Sequence, residues 1–388
     1  MKIQFTLVYL LFSIFGYAQS YQKIHEQAIV VDTHNDILMK VMETGVALDK
    51  NLKGKTQTDL ARWKIGGLDV QLFSIFCDGN QKNPFAFALA EMDSLDAIVK
   101  RNPDKIVEVP TSKALYKTVS EHKIAAMFGV EGGHMIENDL KKLETLYKRG
   151  ARYMTLTWNN STTWATSAFD ETFSKDLKRK GLTDFGKQVV QLMNRLGMIV
   201  DISHVGEQTF WDVIHTTTKP VIASHSSVYH FCHHQRNLKD DQIKAIAKNG
   251  GVIQINFYSG FLDSTFKKKE TAFIERHKVE NDSLLKMGMS DFNTGAFIFS
   301  KYKSEADAIR PPFSFLIDHI EYIIKLVGVD YVGLGSDFDG IESSPLQLDD
   351  VTTYPLITKA LLEKGYSKKD VTKILGGNFL RVLKANEQ

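Results

Sequence analysis

Eight short apolar segments of β type, each separated from the next by enough chain for a helix, constrain this sequence more than any other feature. They are AIVVDTHND from Ala28, GLDVQLFSIFC from Gly67, IAAMFGVEGGH from Ile124, ARYMTLTW from Ala151, GMIVDISH from Gly197, PVIASHS from Pro220, GVIQINFY from Gly251 and YVGLGSDFDG from Tyr331. Several are continuous apolar runs, the mark of strands buried on both faces of a parallel sheet. Between them lie helical stretches such as LKKLETLYKRG, ending at Gly150, and LTDFGKQVVQLMNRLG, closing on Gly197. Eight strand–helix units predict an α/β fold, a (β/α)8 TIM barrel. A doubly wound open sheet more often has five or six such units and a glycine-rich first turn, and no G-x-G-x-x-G follows the first segment here.

The 388 residues suffice for one large domain or two ordinary ones, and the unbroken alternation predicts one, spanning residues 19–388. One connection, from about Leu262 to Pro312, is far longer than the rest and predicts a helical insertion. Such loops usually cover a site or meet a partner, so a lid or a dimer contact is expected, with a solvated decoration as the alternative. Lys267, Lys268 and Lys269 within it read as a solvated face.

The opening residues carry Lys2, an apolar run from Phe5 to Phe15, then Gly16 and Ala18 before Gln19. This reads as a signal peptide over residues 1–18, the run being shorter than the roughly 20 residues of a spanning helix. The closing RVLKANEQ has no apolar tail of the kind a glycolipid anchor uses. An exported protein without a stable membrane anchor, periplasmic or secreted, is expected. A net charge of +2 from 48 basic and 46 acidic residues gives no field that would gather nucleic acid or an anionic membrane, which points to a small substrate. Cys77 and Cys232 are too few for a disulfide framework and are expected to be buried free thiols, with one disulfide as the alternative.

In such a barrel, reactive groups gather at the carboxyl ends of the strands. Five of the eight segments end in candidate metal ligands: His34 and Asp36, then Glu131, His204, His225 and Asp337. His34 and Asp36, two apart, point to one face of an extended strand, and imidazole with carboxylate suits zinc. Taken alone, an H-x-D pair is more often a surface pair or a hydrogen-bonded core pair. Glu131, in GVEGGH, would be costly to desolvate at a barrel rim unless paired or metal-bound, a salt bridge being the other reading. His204 and His225 close successive strands about 4.8 Å apart, near enough to share an ion. With Glu131 bridging, His34, Asp36 and Glu131 would hold one zinc, and Glu131, His204 and His225 the other. Two ions roughly 3.5 to 4 Å apart can hold a bridging hydroxide, which leaves Asp337 as the acid/base. Asp339, two residues on, reads as a turn residue.

The motifs DTHND, GVEGGH, RYMTLTW, VDISHV, SHSS, RN and GSDFDG, in this order from about Val31 to Leu383, resemble the renal or membrane dipeptidase family. The resemblance implies a (β/α)8 barrel of the metallo-dependent hydrolase type with two zinc ions, hydrolysing dipeptides, those with a C-terminal D-residue included. It implies His34, Asp36, Glu131, His204 and His225 as zinc ligands, Asp337 as acid/base, and a homodimer as its members commonly form. It adds Arg236, in HHQRN, as the clamp on the substrate carboxylate, and Tyr258, in NFY, as a further substrate contact. One position departs: where mammalian members have a substrate-binding histidine, this chain has Trp158 followed by Asn159 and Asn160. Asn159 can donate a hydrogen bond in its place, or Trp158 reshapes the pocket; Asn160 stands where the mammalian disulfide partner falls. Two rivals remain. Barrel hydrolases acting on lactones, phosphotriesters or cyclic amides usually carry H-x-H and a carboxylated lysine, against H-x-D and Glu131 here. A non-catalytic exported binding protein would be expected to have lost a ligand or Asp337, and none is lost.

Overall fold

The computed structural model describes residues 21–388; residues 1–20, where the signal-peptide reading falls, lie outside them. Nine parallel strands form one sheet: β1 (Val31–Asn35), β2 (Val70–Phe76), β3 (Ile106–Glu108), β4 (Ile124–Glu131), β5 (Ala151–Thr155), β6 (Ile199–Asp201), β7 (Ile222–Ala223), β8 (Val252–Ile255) and β9 (Val332–Leu334). Eight of them run in the order β1-β2-β4-β5-β6-β7-β8-β9. The ring closes where the Asp36 N–H donates to Phe338 C=O at 3.0 Å and the Asp337 N–H to His34 C=O at 3.1 Å. This is the (β/α)8 barrel, and all eight apolar segments supply its strands. The strand β3, which the eight-segment reading misses, adds to the first three residues of β4, on the side that β5 takes from Phe128 onward. Its three residues are too few to show a period.

Alternate residues of each strand divide between two apolar clusters, as the pleat requires. Val70, Leu72, Ala125, Met127 and Tyr153 face inward and meet Phe379 and Leu383 of the last helix, Asn378–Asn386. Phe73, Ile75, Ala126, Phe128 and Val130 face outward against the helices. The inward row of β4 therefore ends on Glu131 at the barrel mouth. Gly129, in that row, is required: a Cβ there would stand 1.9 Å from Tyr153 Cζ, so only glycine lets the tyrosine lie across β4.

Between β8 and β9 four helices, Phe266–Arg276, Lys278–Lys286, Asp291–Lys301 and Lys303–Ile309, occupy the long connection. They bury a small core of their own, including Phe266, Phe273, Ile298 and Phe299. No described helix is long and apolar enough to cross a membrane. Cys77 and Cys232 are both buried and unpaired.

Candidate metal centre

The fold brings His34, Asp36, Glu131, His204, His225 and Asp337 from five strand ends to one point. His34 Nε2 lies 3.2 Å from Glu131 Oε2, 3.6 Å from Asp36 Oδ2 and 4.0 Å from Asp337 Oδ1. Glu131 Oε1 is 2.9 Å from His204 Nε2 and 3.5 Å from His225 Nε2, and those two nitrogens are 3.0 Å apart. Both His204 and Asp337 hold left-handed backbone, φ 63° and 62°, a conformation that costs non-glycine residues about 1–3 kcal/mol and tends to gather at functional sites.

Hydrogen bonds behind the three rings decide where their protons sit. Asp201 accepts the backbone N–H groups of Ser203 and Ser224 on one oxygen and the Thr155 and Ser224 hydroxyls on the other. The Ser224 proton is thus committed to Asp201, and Ser224 Oγ must accept from His225 Nδ1–H, 2.8 Å away. Tyr153 likewise donates its hydroxyl to Thr33 C=O and accepts from His34 Nδ1–H at 2.8 Å. The His204 Nδ1–H donates to Asn159 Oδ1 at 3.2 Å. All three rings therefore turn Nε2 toward Glu131, the arrangement in which a backing acceptor fixes a ligating histidine.

His204 Nε2, His225 Nε2 and Glu131 Oε1 then form a triangle of acceptors without a donor. Ligands at about 2.0–2.1 Å from a tetrahedral ion lie roughly 3.3 Å apart, the range of the separations found. Asp36 Oδ1 and His34 Nε2 are buried without a hydrogen-bond partner. The donor set fits divalent cations. Burial opposes a charge on His34, but Glu131, Asp36 and Asp337 outweigh it and raise the ring to about 10, so that a proton stands where a cation would. Burial alone would raise Glu131, yet the imidazoles hold its carboxylate well below its usual range. Burial pushes Asp36 and Asp337 up. It depresses His204 to about 3 and His225 well below its usual range.

Gly340 makes room for the acids: a Cβ there would fall 2.1 Å from Asp36 Oδ2 and 2.9 Å from Asp337 Oδ1. Asp337 Oδ2 accepts from Asn256 Nδ2 at 2.8 Å. Asp339 points away, accepting from the Gln57 N–H and the Thr58 hydroxyl, and so anchors a loop.

Above these groups lies a cavity of 680 Å³ lined by Asp36, Glu131, His204, Asp337, Arg236, Tyr258, Trp158 and Asn159, and by Asp291 and Phe292 of the insertion. Arg236 is 5% exposed, its Nε has no partner, and its other contacts are long, to Ser226 Oγ at 3.4 Å and His225 C=O at 3.2 Å. Burial lowers the guanidinium to about 10. The Tyr258 hydroxyl donates to Glu270 of the insertion at 3.2 Å. Trp158 packs against Phe76, ring centroids 4.9 Å apart and planes tilted by 59°, and walls the cavity beside His204. Asn159 is thus spatially at the site, with its carbonyl oxygen behind the His204 ring. Sequence reading missed Tyr153, Asp201, Ser224 and Asn256. Their signal was a polar group inside an apolar strand or at its end, which burial obliges to find a partner.

A parallel barrel with this donor set at its mouth defines a metal-dependent hydrolase of the (β/α)8 class. The family model of membrane dipeptidases, peptidase family M19, matches residues 18–388. An uncharacterized dipeptidase of Schizosaccharomyces pombe is 33% identical over 389 residues, covering 95% of this chain and 83% of that protein. The probable dipeptidase PvdM of Pseudomonas aeruginosa superposes with a TM-score of 0.79 at 25% identity, over 96% of this chain and 98% of its own. A metallo peptidase of Rhodobacter sphaeroides, solved with a phosphinate mimic of the dipeptide L-Ala-D-Ala, gives 0.74 at 22% identity, over 93% and 100%. The chain belongs to the membrane dipeptidase family and is a metallo-dipeptidase.

Proposed function

We propose that the enzyme holds two zinc ions and hydrolyses dipeptides, those with a C-terminal D-residue included, with Asp337 as the acid/base. The carrying observation is the triangle of His204 Nε2, His225 Nε2 and Glu131 Oε1, three ligand atoms that a shared cation would reconcile. His34, Asp36 and Glu131 would hold one ion, and Glu131, His204 and His225 the other. Bound zinc would polarise the scissile carbonyl and acidify the attacking water.

The chain's own groups do the rest. Arg236, desolvated and with Nε unsatisfied, takes the substrate carboxylate. Asn256 pins one oxygen of Asp337, leaving the other turned toward His34. Burial raises this carboxyl, which favours its taking the water proton and passing it to the leaving amine nitrogen. Tyr258 and Trp158 wall the substrate, and Asn159 steadies His204. The ligand of the Rhodobacter sphaeroides relative supports the D-residue reading. Export with cleavage after residue 18 belongs to the same proposal, and is checked by the amino terminus of the secreted protein.

Zinc-loaded protein assayed on Ala-Ala, L-Ala-D-Ala and a lactone panel, with elemental analysis, tests this. Activity on lactones alone overturns it. Asp337→Asn should keep its zinc and lose about 10²–10⁴-fold in kcat; full activity would remove Asp337 from the mechanism.

A further inference from the structure

Asp32 and Asp201 are buried strand carboxylates, and neither lines the cavity. Each takes hold of a serine on the next strand of the ring, and each of those serines immediately precedes a residue of the centre. Asp201, at the end of β6, accepts the N–H and the hydroxyl of Ser224, which leads into His225 after β7. Asp32, on β1, accepts the Ser336 N–H at 2.8 Å and its hydroxyl at 2.6 Å, and Ser336 leads into Asp337 just past β9. The same device thus recurs at two seams of the barrel, once beside an imidazole and once beside the acid.

Asp32 reaches further than its serine. Its Oδ1 also accepts the His34 N–H at 3.3 Å, and the His34 C=O accepts the Asp337 N–H at 3.1 Å. With its proton on Asp32, Ser336 Oγ is free to accept the Phe338 N–H at 3.1 Å. The other acceptor within reach of that hydroxyl, His34 C=O, is farther off at 3.4 Å. Asp337 and both residues flanking it are therefore tied to the segment that carries Asp32 and His34. Such ties matter here because Asp337 holds left-handed backbone, φ 62°, which persists where the surrounding structure over-determines it. Asp32, His34 and Ser336 are all fully buried, with the Tyr354 hydroxyl beside the pair, so no exposed group competes for these donors.

We propose that Asp32 is a positioning residue for the reaction, one that sets, through Ser336, where the Asp337 carboxyl stands relative to His34. The inference rests on Asp337 being the acid/base. Misplacement of a reacting group by about 1 Å can cost on the order of 10²-fold in rate. A lost tie should therefore be felt in turnover, while the groups that bind metal and substrate carboxylate stay where they are.

Zinc-loaded Ser336→Ala is compared with the wild type on Ala-Ala. Its kcat should fall about 10–100-fold, with KM and the zinc content by elemental analysis unchanged. Placed in Asp337→Asn, the same substitution should cost nothing further, because the group it positions is already disabled. A serine with a merely structural role would cost the same factor in both backgrounds, and that result overturns the inference. Wild-type kcat in Ser336→Ala overturns it too, as does a loss that tracks the loss of zinc. Should Ser336→Ala fail to fold, Asp32→Asn decides. Its amide keeps an acceptor for the His34 and Ser336 N–H groups but turns a donor on the Ser336 hydroxyl, so kcat should again fall at constant KM and zinc content; wild-type kcat there overturns the inference. Full activity of Asp337→Asn by itself removes the acid/base reading beneath it.

Discussion

Glu131 at the barrel mouth and Glu280 in the helical insertion are both carboxylates with positive or proton-bearing neighbours, but they are held in different ways. Glu131 is 4% exposed and faces three imidazoles, each fixed from behind by a hydroxyl or an amide. Glu280 lies at the surface, with Lys301 and the Tyr302 hydroxyl on its two oxygens. A buried charge stripped of its partners is strongly destabilising, whereas an exposed pair contributes little. The difference teaches where this chain can vary. The rim fixes chemistry through residues that depend on one another, while the surface ion pairs of the insertion, such as Glu280 with Lys301, are each expected to contribute little.

The comparison breaks most readily at Glu131. Glu131→Gln should lose metal by elemental analysis and activity by at least about 10³-fold. A fully loaded variant would mean the rim is no more interdependent than the insertion.

Next comes the tie between the two regions. His319, on the helix after the insertion, accepts the Val228 N–H on Nδ1 and donates from Nε2 to Leu262 C=O, both at 3.1 Å. Burial lowers it from the ordinary 6.5 to about 4. As pH falls, the unfolded chain therefore takes up the proton first. The stabilisation is complete above pH 6.5 and drains away toward pH 4, by about 3 kcal/mol for a shift of this size. Urea unfolding across this range checks it, and His319→Gln should flatten the dependence.

A smaller effect is expected at Ser224. Ser224→Ala leaves the His225 proton without its acceptor and should weaken metal binding about 10–100-fold in chelator competition. Smallest is Lys301→Met, which should leave the melting temperature and kcat/KM within error; a clear loss would show that the insertion is as interdependent as the rim.

The groups that meet at the mouth were legible because residue type and place coincide: His34, Glu131, His204 and His225 stand at or just past the ends of apolar runs with strand character. The groups behind them were not. Ser224 and Tyr153 look like ordinary strand residues until the barrel brings Asp201 and His34 against them. The strand at Ile106–Glu108 was too short to announce itself. The insertion was visible as length alone, since its helices are short and their core is shared among four segments.

That closure joins residues three hundred positions apart, Asp36 to Phe338 and His34 to Asp337. A nascent polypeptide halted before its final strand would already carry every histidine of the centre, yet would lack both Asp337 and the seam that aligns Asp36. The mouth of the barrel is thus complete only when the last strand is in place, and every group gathered there waits on the closing of one seam.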